Sequence, residues 1–381
     1  MVRAIGSQRP FKNMRLTYSM ADQDFVRTKS VGIFNVALGL AERIALRPEL
    51  SRFTVLTNST LAGHLRLPPK VAVHPCNQAI AGRLRRLIWD QRGVYRAAAR
   101  TGNEWLCLPK GFASFISRCP VKLATYVHDT IHDFYRERYP GTMSSLESAY
   151  FFRSLLASIR DSRVIFTNSE FSRSEILRLA RKHGMAAPEV VRVGIGFAPV
   201  NRRRMEKDDR LLVMTTRWPH KRADLAVDYL AKWHAASGFK GTIDWLGSLP
   251  AKLTFPDRPG WRLHSRVSDE QLAQWLTRSR ALIYFTEYEG FGMPPVEAVL
   301  AGTCPVYSKI PVTSEVMRGL GCPFENASYQ SFAQAMDRAL VVSSDVLEDW
   351  AGRLLQCHDW DKVVDCFIRG LIDADSVPAR S

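Results

Sequence analysis

The stretch that most constrains this chain is residues 285–302, Phe-Thr-Glu-Tyr-Glu-Gly-Phe-Gly-Met-Pro-Pro-Val-Glu-Ala-Val-Leu-Ala-Gly. It continues an apolar run at residues 281–285 that reads as a strand. Gly290-Phe291-Gly292 then makes a turn, and Pro294 and Pro295 fit the first turn of a helix, where a missing N–H costs little. Glu297 is expected within that turn. A strand, a glycine turn and a helix N-terminus form an anion site, because backbone N–H groups and the positive helix end point at whatever sits there. Glu289 and Glu297 flank the turn, which suggests a ligand with phosphates in its middle and hydroxyls at both ends.

The rest of the chain repeats the same alternation. Residues 14–20, 53–57, 71–74, 123–127, 164–167 and 190–193 read as strands in the first half, and residues 211–215, 243–246, 281–285 and 305–307 in the second. Phe34, Ala37, Leu38, Ala41 and Ile44 fall at helical spacing. Strands alternating with helices predict doubly wound α/β domains, and 381 residues suit two of them. Residues 194–208, with Gly194, Gly196, Pro199 and Arg202-Arg203-Arg204, have the composition of a linker. Ligands in such sheets bind beyond the carboxyl ends of the strands, so two facing domains would place the site in the cleft between them.

Glu289 and Glu297, in the string Glu-Gly-Phe-Gly-x-Pro-x-x-Glu-Ala, resemble the paired-glutamate motif of the retaining glycosyltransferases of family four. Two glutamates at this spacing are common in ordinary strand–turn–helix units; the full string is not. The resemblance covers nearly the whole chain and implies the GT-B fold: α/β, two Rossmann-like doubly wound domains facing across a cleft. It implies an acceptor-side domain over residues 1–200, a nucleotide-sugar-binding domain over residues 201–357, and a last helix within residues 358–381 that returns to the first domain. It also implies that Glu289 contacts donor-sugar hydroxyls, Glu297 the ribose, and Gly290, Phe291 and Gly292 the sugar and diphosphate.

Arg217 and Lys221, in Thr-Thr-Arg-Trp-Pro-His-Lys-Arg, resemble the family's loop that grips the diphosphate. A leaving nucleoside diphosphate gathers negative charge, so fixed cations favour the transition state over the ground state. By the same resemblance Gly32 lies in a first-domain loop that approaches the donor phosphates, Val267 lies in the loop that holds the base, and His128 faces the donor sugar near the reacting carbon. Two departures stand out: Cys304 replaces a frequent proline, and Trp218-Pro219-His220 is an uncommon insert between the two cations. His128-Asp129 and His132-Asp133 admit a rival reading as a metal cluster. The family needs no metal, and His132 and Asp133 read as a polar loop. Asn168-Ser169 reads as a structural helix cap.

The implied activity is a retaining hexosyltransferase, mannose being the first sugar to test, acting from a nucleoside-diphosphate-sugar on a hydroxyl of a glycan or lipid-linked acceptor in polysaccharide assembly. No cofactor is expected. The alternatives are a basic nucleic-acid-binding protein and a metal-dependent phosphohydrolase. Lys and Arg number 53 against 37 acids, a net charge of +16 that favours a polyanionic neighbour. Between residues 81 and 100 six arginines interleave with Leu84, Leu87, Ile88, Trp89, Val94 and Tyr95. This amphipathic segment either lies on an anionic membrane surface or packs its apolar face on the sheet. No nucleic-acid-binding module is present, and nucleic acid is not an expected partner. No apolar run reaches transmembrane length, residues 1–6 lack a signal-peptide core, and seven scattered cysteines show no disulfide framework. The expected location is the cytoplasm, with the basic segment able to hold the protein on the inner face of the membrane.

Overall fold

The computed structural model describes residues 14–23, 31–63, 65–76, 82–199 and 206–378. The Arg202–Arg204 cluster, residues 1–13, Ser30, Ala81 and the side chain of Arg83 lie outside the described residues.

The first sheet comprises β1 (Met14–Ser19), β2 (Leu50–Thr57), β3 (Ala72–Pro75), β4 (Trp105–Leu108), β5 (Lys122–Tyr126), β6 (Val164–Thr167) and β7 (Glu189–Arg192), in the order β3-β2-β1-β4-β5-β6-β7. The second comprises β8 (Arg210–Thr215), β9 (Thr242–Gly247), β10 (Trp261–His264), β11 (Ala281–Tyr284), β12 (Cys304–Ser308) and β13 (Cys322–Phe324), in the order β10-β9-β8-β11-β12-β13. Every strand pair is parallel. Each strand of β4, β6, β11 and β12 is buried at every residue, as expected for parallel strands covered on both faces. The fold is the expected pair of Rossmann-like α/β domains. Strands β4, β10 and β13 were not foreseen; each is only three or four residues long and interrupted by Cys, Pro or charged residues.

Strand order reverses between β1 and β4 in the first sheet and between β8 and β11 in the second. Crevices open at such switch points, outside the carboxyl ends of the strands.

Helix Trp360–Ser376 packs on the first sheet. Phe367 is fully buried, with its ring centroid 4.2 Å from that of Phe166 on β6. The Trp360 indole lies against Gly39 and Gly196, where an added Cβ would meet ring atoms at 2.6 and 2.3 Å. The Arg43 guanidinium covers the same ring at 4.5 Å. The Cys304 thiol, at the frequent proline position, packs 3.7 Å from the Cys322 thiol on the neighbouring strand. Among the described residues no helix is long and apolar enough to cross a membrane.

The segment between β3 and β4 is not one continuous helix. It comprises helix Arg83–Ile88, a π-helical turn Trp89–Gly93, and helix Val94–Thr101. Val94, Tyr95 and Ala98 are buried, whereas Leu84, Leu87 and Ile88 are 68%, 38% and 57% exposed. The packing alternative therefore holds for the second half of the segment and fails for the first.

Phe367→Ala is expected to cost about 3–5 kcal/mol, the range for truncating a buried aromatic. Urea unfolding followed by tryptophan fluorescence checks this, and a loss below about 1 kcal/mol would mean that the last helix is not anchored through this ring.

Candidate active site

Glu289 follows β11, and Lys221 ends a short 3-10 turn, Pro219–Lys221, that follows β8. The two strands are neighbours at the switch point of the second sheet, so their loops meet. The Glu289 carboxylate accepts from Lys221 Nζ, from Tyr284 Oη at 2.7 Å and from Thr286 Oγ1 at 2.8 Å. Burial alone would raise this carboxyl. The charge on Lys221, His220 and the hydrogen bonds from Lys221 and Tyr284 outweigh it and hold the group below its ordinary value. Glu289 is thus an anion in a buried setting.

The next residues supply donors. Among the described residues, the N–H groups of Gly290, Phe291 and Gly292 have no hydrogen-bond acceptor. Gly292, at φ +82°, caps helix Met293–Leu300, with Pro294 in its first turn as anticipated. Glu297 is the fifth residue of that helix, one turn further in than the sequence suggested, and burial raises its carboxyl. The Phe291 ring packs against His358 at 5.3 Å and Phe197 at 6.1 Å. Only its backbone is left for a ligand.

Gly32 lies not in a loop but in the first turn of helix Val31–Ile44. A Cβ there would stand 3.5 Å from the Met293 sulfur, so this glycine faces the N-terminus of helix Met293–Leu300 across the cleft. Arg217 is exposed, its guanidinium 5.4 Å from the Trp218 ring, and it makes no ion pair among the described residues. Val267 is partly buried between β10 and helix Asp269–Arg278 and packs against the cluster that includes Leu212, Trp275 and Leu276.

His128 follows β5. Its Nε2–H donates to the Pro109 carbonyl at 2.8 Å, since a carbonyl only accepts, leaving Nδ1 as the acceptor. Burial lowers its pKa to about 4, so the ring is neutral near pH 7. His132 and Asp133 are not in a polar loop: they sit in the first turn of helix Ile131–Arg138. The His132 ring stacks on Phe151 at 4.5 Å. Asp133 is 1% exposed and paired with Arg178 at 2.8 Å and Lys182 at 3.2 Å. The residues of the rival metal reading therefore diverge, and no other His, Cys, Asp or Glu group among the described residues converges for an ion.

Several residues that the sequence marked only as a cap or an unexplained insert, or not at all, hold the two domains together here. Ser169 does more than cap its helix: its Oγ donates to the Gly290 carbonyl at 2.6 Å, and Ser172 Oγ reaches the carbonyls of His128 and Gly290 at 3.1 Å. Glu315 accepts from the backbone N–H groups of Glu170 and Phe171. Tyr288 pairs with Thr130 Oγ1 at 2.9 Å and stacks on Phe134. The Trp218-Pro219-His220 insert docks on Tyr135, which stacks on Trp218 and hydrogen-bonds His220. The insert at the second sheet was the only visible sign of this seam.

A family model described as glycosyl transferases group 1 matches residues 259–350. The O-antigen chain mannosyltransferase RfbU of Salmonella typhimurium is 25% identical over 254 residues, 63% of this chain and 67% of that protein. The O-antigen chain mannosyltransferase B of Escherichia coli is 30% identical over 193 residues, 45% of this chain and 50% of that protein. The chain thus spans two thirds of the first relative's length and half of the second's. The crystal structure of TarM superposes with a TM-score of 0.67 over 95% of this chain and 99% of that one, at 8% identity. The two facing parallel sheets have the GT-B architecture, and the family match over residues 259–350 together with the named relatives supports a glycosyltransferase. Within that class the chain resembles the bacterial mannosyltransferases.

At Gly290 an added Cβ would stand 2.2 Å from the His128 carbonyl oxygen and 3.0 Å from Asp129 Cβ. Gly290→Ala must therefore push the two domain faces apart. Displacing reacting groups by about 1 Å can cost roughly 10²-fold. The expected outcome is a loss of turnover of that order with the circular dichroism spectrum unchanged; parental turnover would mean that this closed seam is not the reacting arrangement.

Proposed function

We propose that the protein transfers a hexose, mannose first among the candidates, from a nucleoside-diphosphate-sugar to a hydroxyl of a glycan or lipid-linked acceptor, with net retention at the anomeric carbon. The observation that carries this reading is the part-buried Glu289–Lys221 pair beside three backbone N–H groups that have no acceptor among the described residues. An anionic carboxylate suits sugar hydroxyls, and the ammonium and amides suit a diphosphate. Glu289 then binds the donor sugar, Glu297 the ribose, Lys221 and Arg217 the diphosphate, and Val267 lies beside the base. Gly32 lets the first-domain backbone approach the phosphates. Neutral His128 faces the donor sugar as an uncharged polar group. No resident metal or cofactor is assigned a role.

In this reading the bond from the anomeric carbon to the phosphate oxygen breaks, and its electron pair leaves on the nucleoside diphosphate. The acceptor oxygen bonds to the same face of the sugar, and its proton passes to the leaving phosphate. No side chain is placed as a covalent nucleophile, so the protein acts by orientation and by charge. The domains run over residues 1–200 and 201–357, with residues 358–381 returning to the first.

Helix Arg83–Ile88 supports a membrane-bound acceptor. Its exposed Leu84, Leu87 and Ile88 stand among exposed Arg85, Arg92 and Arg96, and the whole chain carries +16. An apolar face ringed by arginines fits an anionic lipid surface, in the cytoplasmic leaflet in this reading.

Thermal stabilisation across a panel of nucleotide-sugars tests the donor, since a ligand at 100 times its Kd adds about 2.7 kcal/mol. Lys221→Ala is expected to weaken binding of the bare nucleoside diphosphate while a neutral nucleoside binds unchanged, and Glu289→Ala to lower turnover by about 10²-fold or more. Equal diphosphate affinity in Lys221→Ala and parent by calorimetry would refute the diphosphate assignment. Flotation with anionic vesicles tests the surface. Binding should fall with salt, given a Debye length of about 8 Å at physiological strength, and with Leu84→Glu plus Ile88→Glu. Protein that stays unbound at low salt defeats the membrane reading.

A further inference from the structure

The first sheet has its own switch point between β1 and β4, and a pocket opens there that none of the assignments above uses. Its floor comes from Ser19 at the end of β1 and Asp22 beyond it, and from Leu108 at the end of β4 with Pro109 and Lys110 beyond it. Its walls are Trp89 and Asp90 of the π-helical turn, with Phe112, Tyr150 and Phe151. Single-turn π-bulges inside helices are frequent at functional sites. The enclosed part is small, about 30 Å³, so only one or two hydroxyl-sized groups can enter it. A larger ligand must lie across the mouth.

The pocket adjoins the transfer site directly. Pro109, in its floor, accepts the His128 hydrogen bond, and Phe151, in its wall, carries the stacked His132 ring. On its other side Arg86 belongs to the exposed helix Arg83–Ile88.

Its charges are balanced internally. Lys110 Nζ is 2.6 Å from the Asp22 carboxylate and also donates to the Asp22 carbonyl at 3.1 Å. Arg86 lies 3.6 Å from Asp90 and 3.8 Å from Asp22. Tyr150 Oη donates to Asp90 at 2.9 Å. A phosphate would meet two carboxylates at close range, and a purely apolar ligand would take water from four paired charged groups without replacing its hydrogen bonds. An uncharged polyol satisfies both constraints: its hydroxyls donate to the carboxylates and accept from the cations, while its C–H face lies on the aromatic rings. Burial and the neighbouring Asp22 push the Asp90 carboxyl upward, which leaves it able to accept or donate toward a hydroxyl.

We propose that this pocket is the acceptor subsite and that it takes an uncharged pyranose, laid across Trp89 with hydroxyls directed at Asp22 and Asp90. This rests on the transferase reading, since it places the acceptor next to His128 and beside the helix with the exposed apolar face.

The test uses the full-length protein and the methyl glycosides of mannose, glucose, galactose, rhamnose and N-acetylglucosamine as probes, read by saturation-transfer NMR. At least one glycoside is expected to give a signal that persists in Glu289→Ala, which removes the donor-sugar contact. The same signal should fall about tenfold in Asp90→Asn, the scale of one lost hydrogen bond to a charged group, and should also fall in Trp89→Ala, which removes the ring under the sugar. Tyr150→Phe, a change that keeps the packing, guards against unfolding of the alanine variant and should give a smaller loss. Signals equal in parent, Asp90→Asn and Tyr150→Phe, or no signal from any glycoside, overturn the subsite. Nucleotide-sugar stabilisation is measured on the same samples. If it persists while the glycoside signal is indifferent to these variants, the subsite fails and the transferase reading stands. If no nucleotide-sugar stabilises the parent, the transferase reading itself fails.

Discussion

The arrangement of the cleft depends on keeping one carboxylate charged where water is scarce. An ionised group without partners in such a setting costs several kcal/mol, and usually takes up a proton instead. Glu289 avoids this through three donors drawn from three places: Lys221 after β8, Tyr284 at the end of β11, and Thr286 two residues later. Those donors fix the position of the loop as firmly as they fix the charge. Because β8 and β11 are adjacent only where strand order reverses, the pair can form only at the switch point. The charged group, the free amides after it and the place in the sheet are one consequence of the topology.

The same loop closes the molecule. Gly290 lies against the His128 carbonyl at a distance that excludes any side chain, and its own carbonyl accepts from Ser169 and Ser172 of the first domain. In return, Glu315 of the second domain caps the helix that begins at Glu170. Each domain thus satisfies backbone groups of the other. The bonds from Ser169 and Ser172 to Gly290 are buried, and removing one side of such a bond costs more than the bond itself contributes. The glycine is required for packing as much as for a ligand's approach.

The glutamate string was legible because it combines a strand, a turn and prolines confined to a helix start, each with its own physical signature. Strands β5 and β6 were legible from their apolar runs. Strand β4, as short as β6 and mid-sheet, was not: Trp-Leu-Cys-Leu holds no β-branched residue, and its pairing with β1 and β5 defines it. The helix at Gly32 and the one at His132 begin earlier than the local signals suggested. Arg217 and Lys221 matched one motif; of these two cations Lys221 reaches the Glu289 carboxylate, while Arg217 is exposed beside Trp218. The inter-domain hydrogen bonds of Ser169 and Glu315 carried no signal at all. They depend on tertiary approach, which no window of residues encodes.

The charge of the chain gains a location from the structure. Many cations are spent on internal pairs: Arg178 and Lys182 hold Asp133, Lys110 holds Asp22, and Arg47 pairs with Asp365. Arg85, Arg92, Arg96 and Arg100 are exposed and, among the described residues, make no ion pair. They lie along the same segment as the short helix whose Leu84, Leu87 and Ile88 are exposed, while the next helix buries Val94, Tyr95 and Ala98. An amphipathic sequence specifies a stripe but not its partner. Here the π-helical turn changes the helix phase between the two halves, so one stripe faces the core and the other does not. That same turn sets Trp89 and Asp90 over the crevice between β1 and β4, which joins the exposed face to the cleft through a single short element.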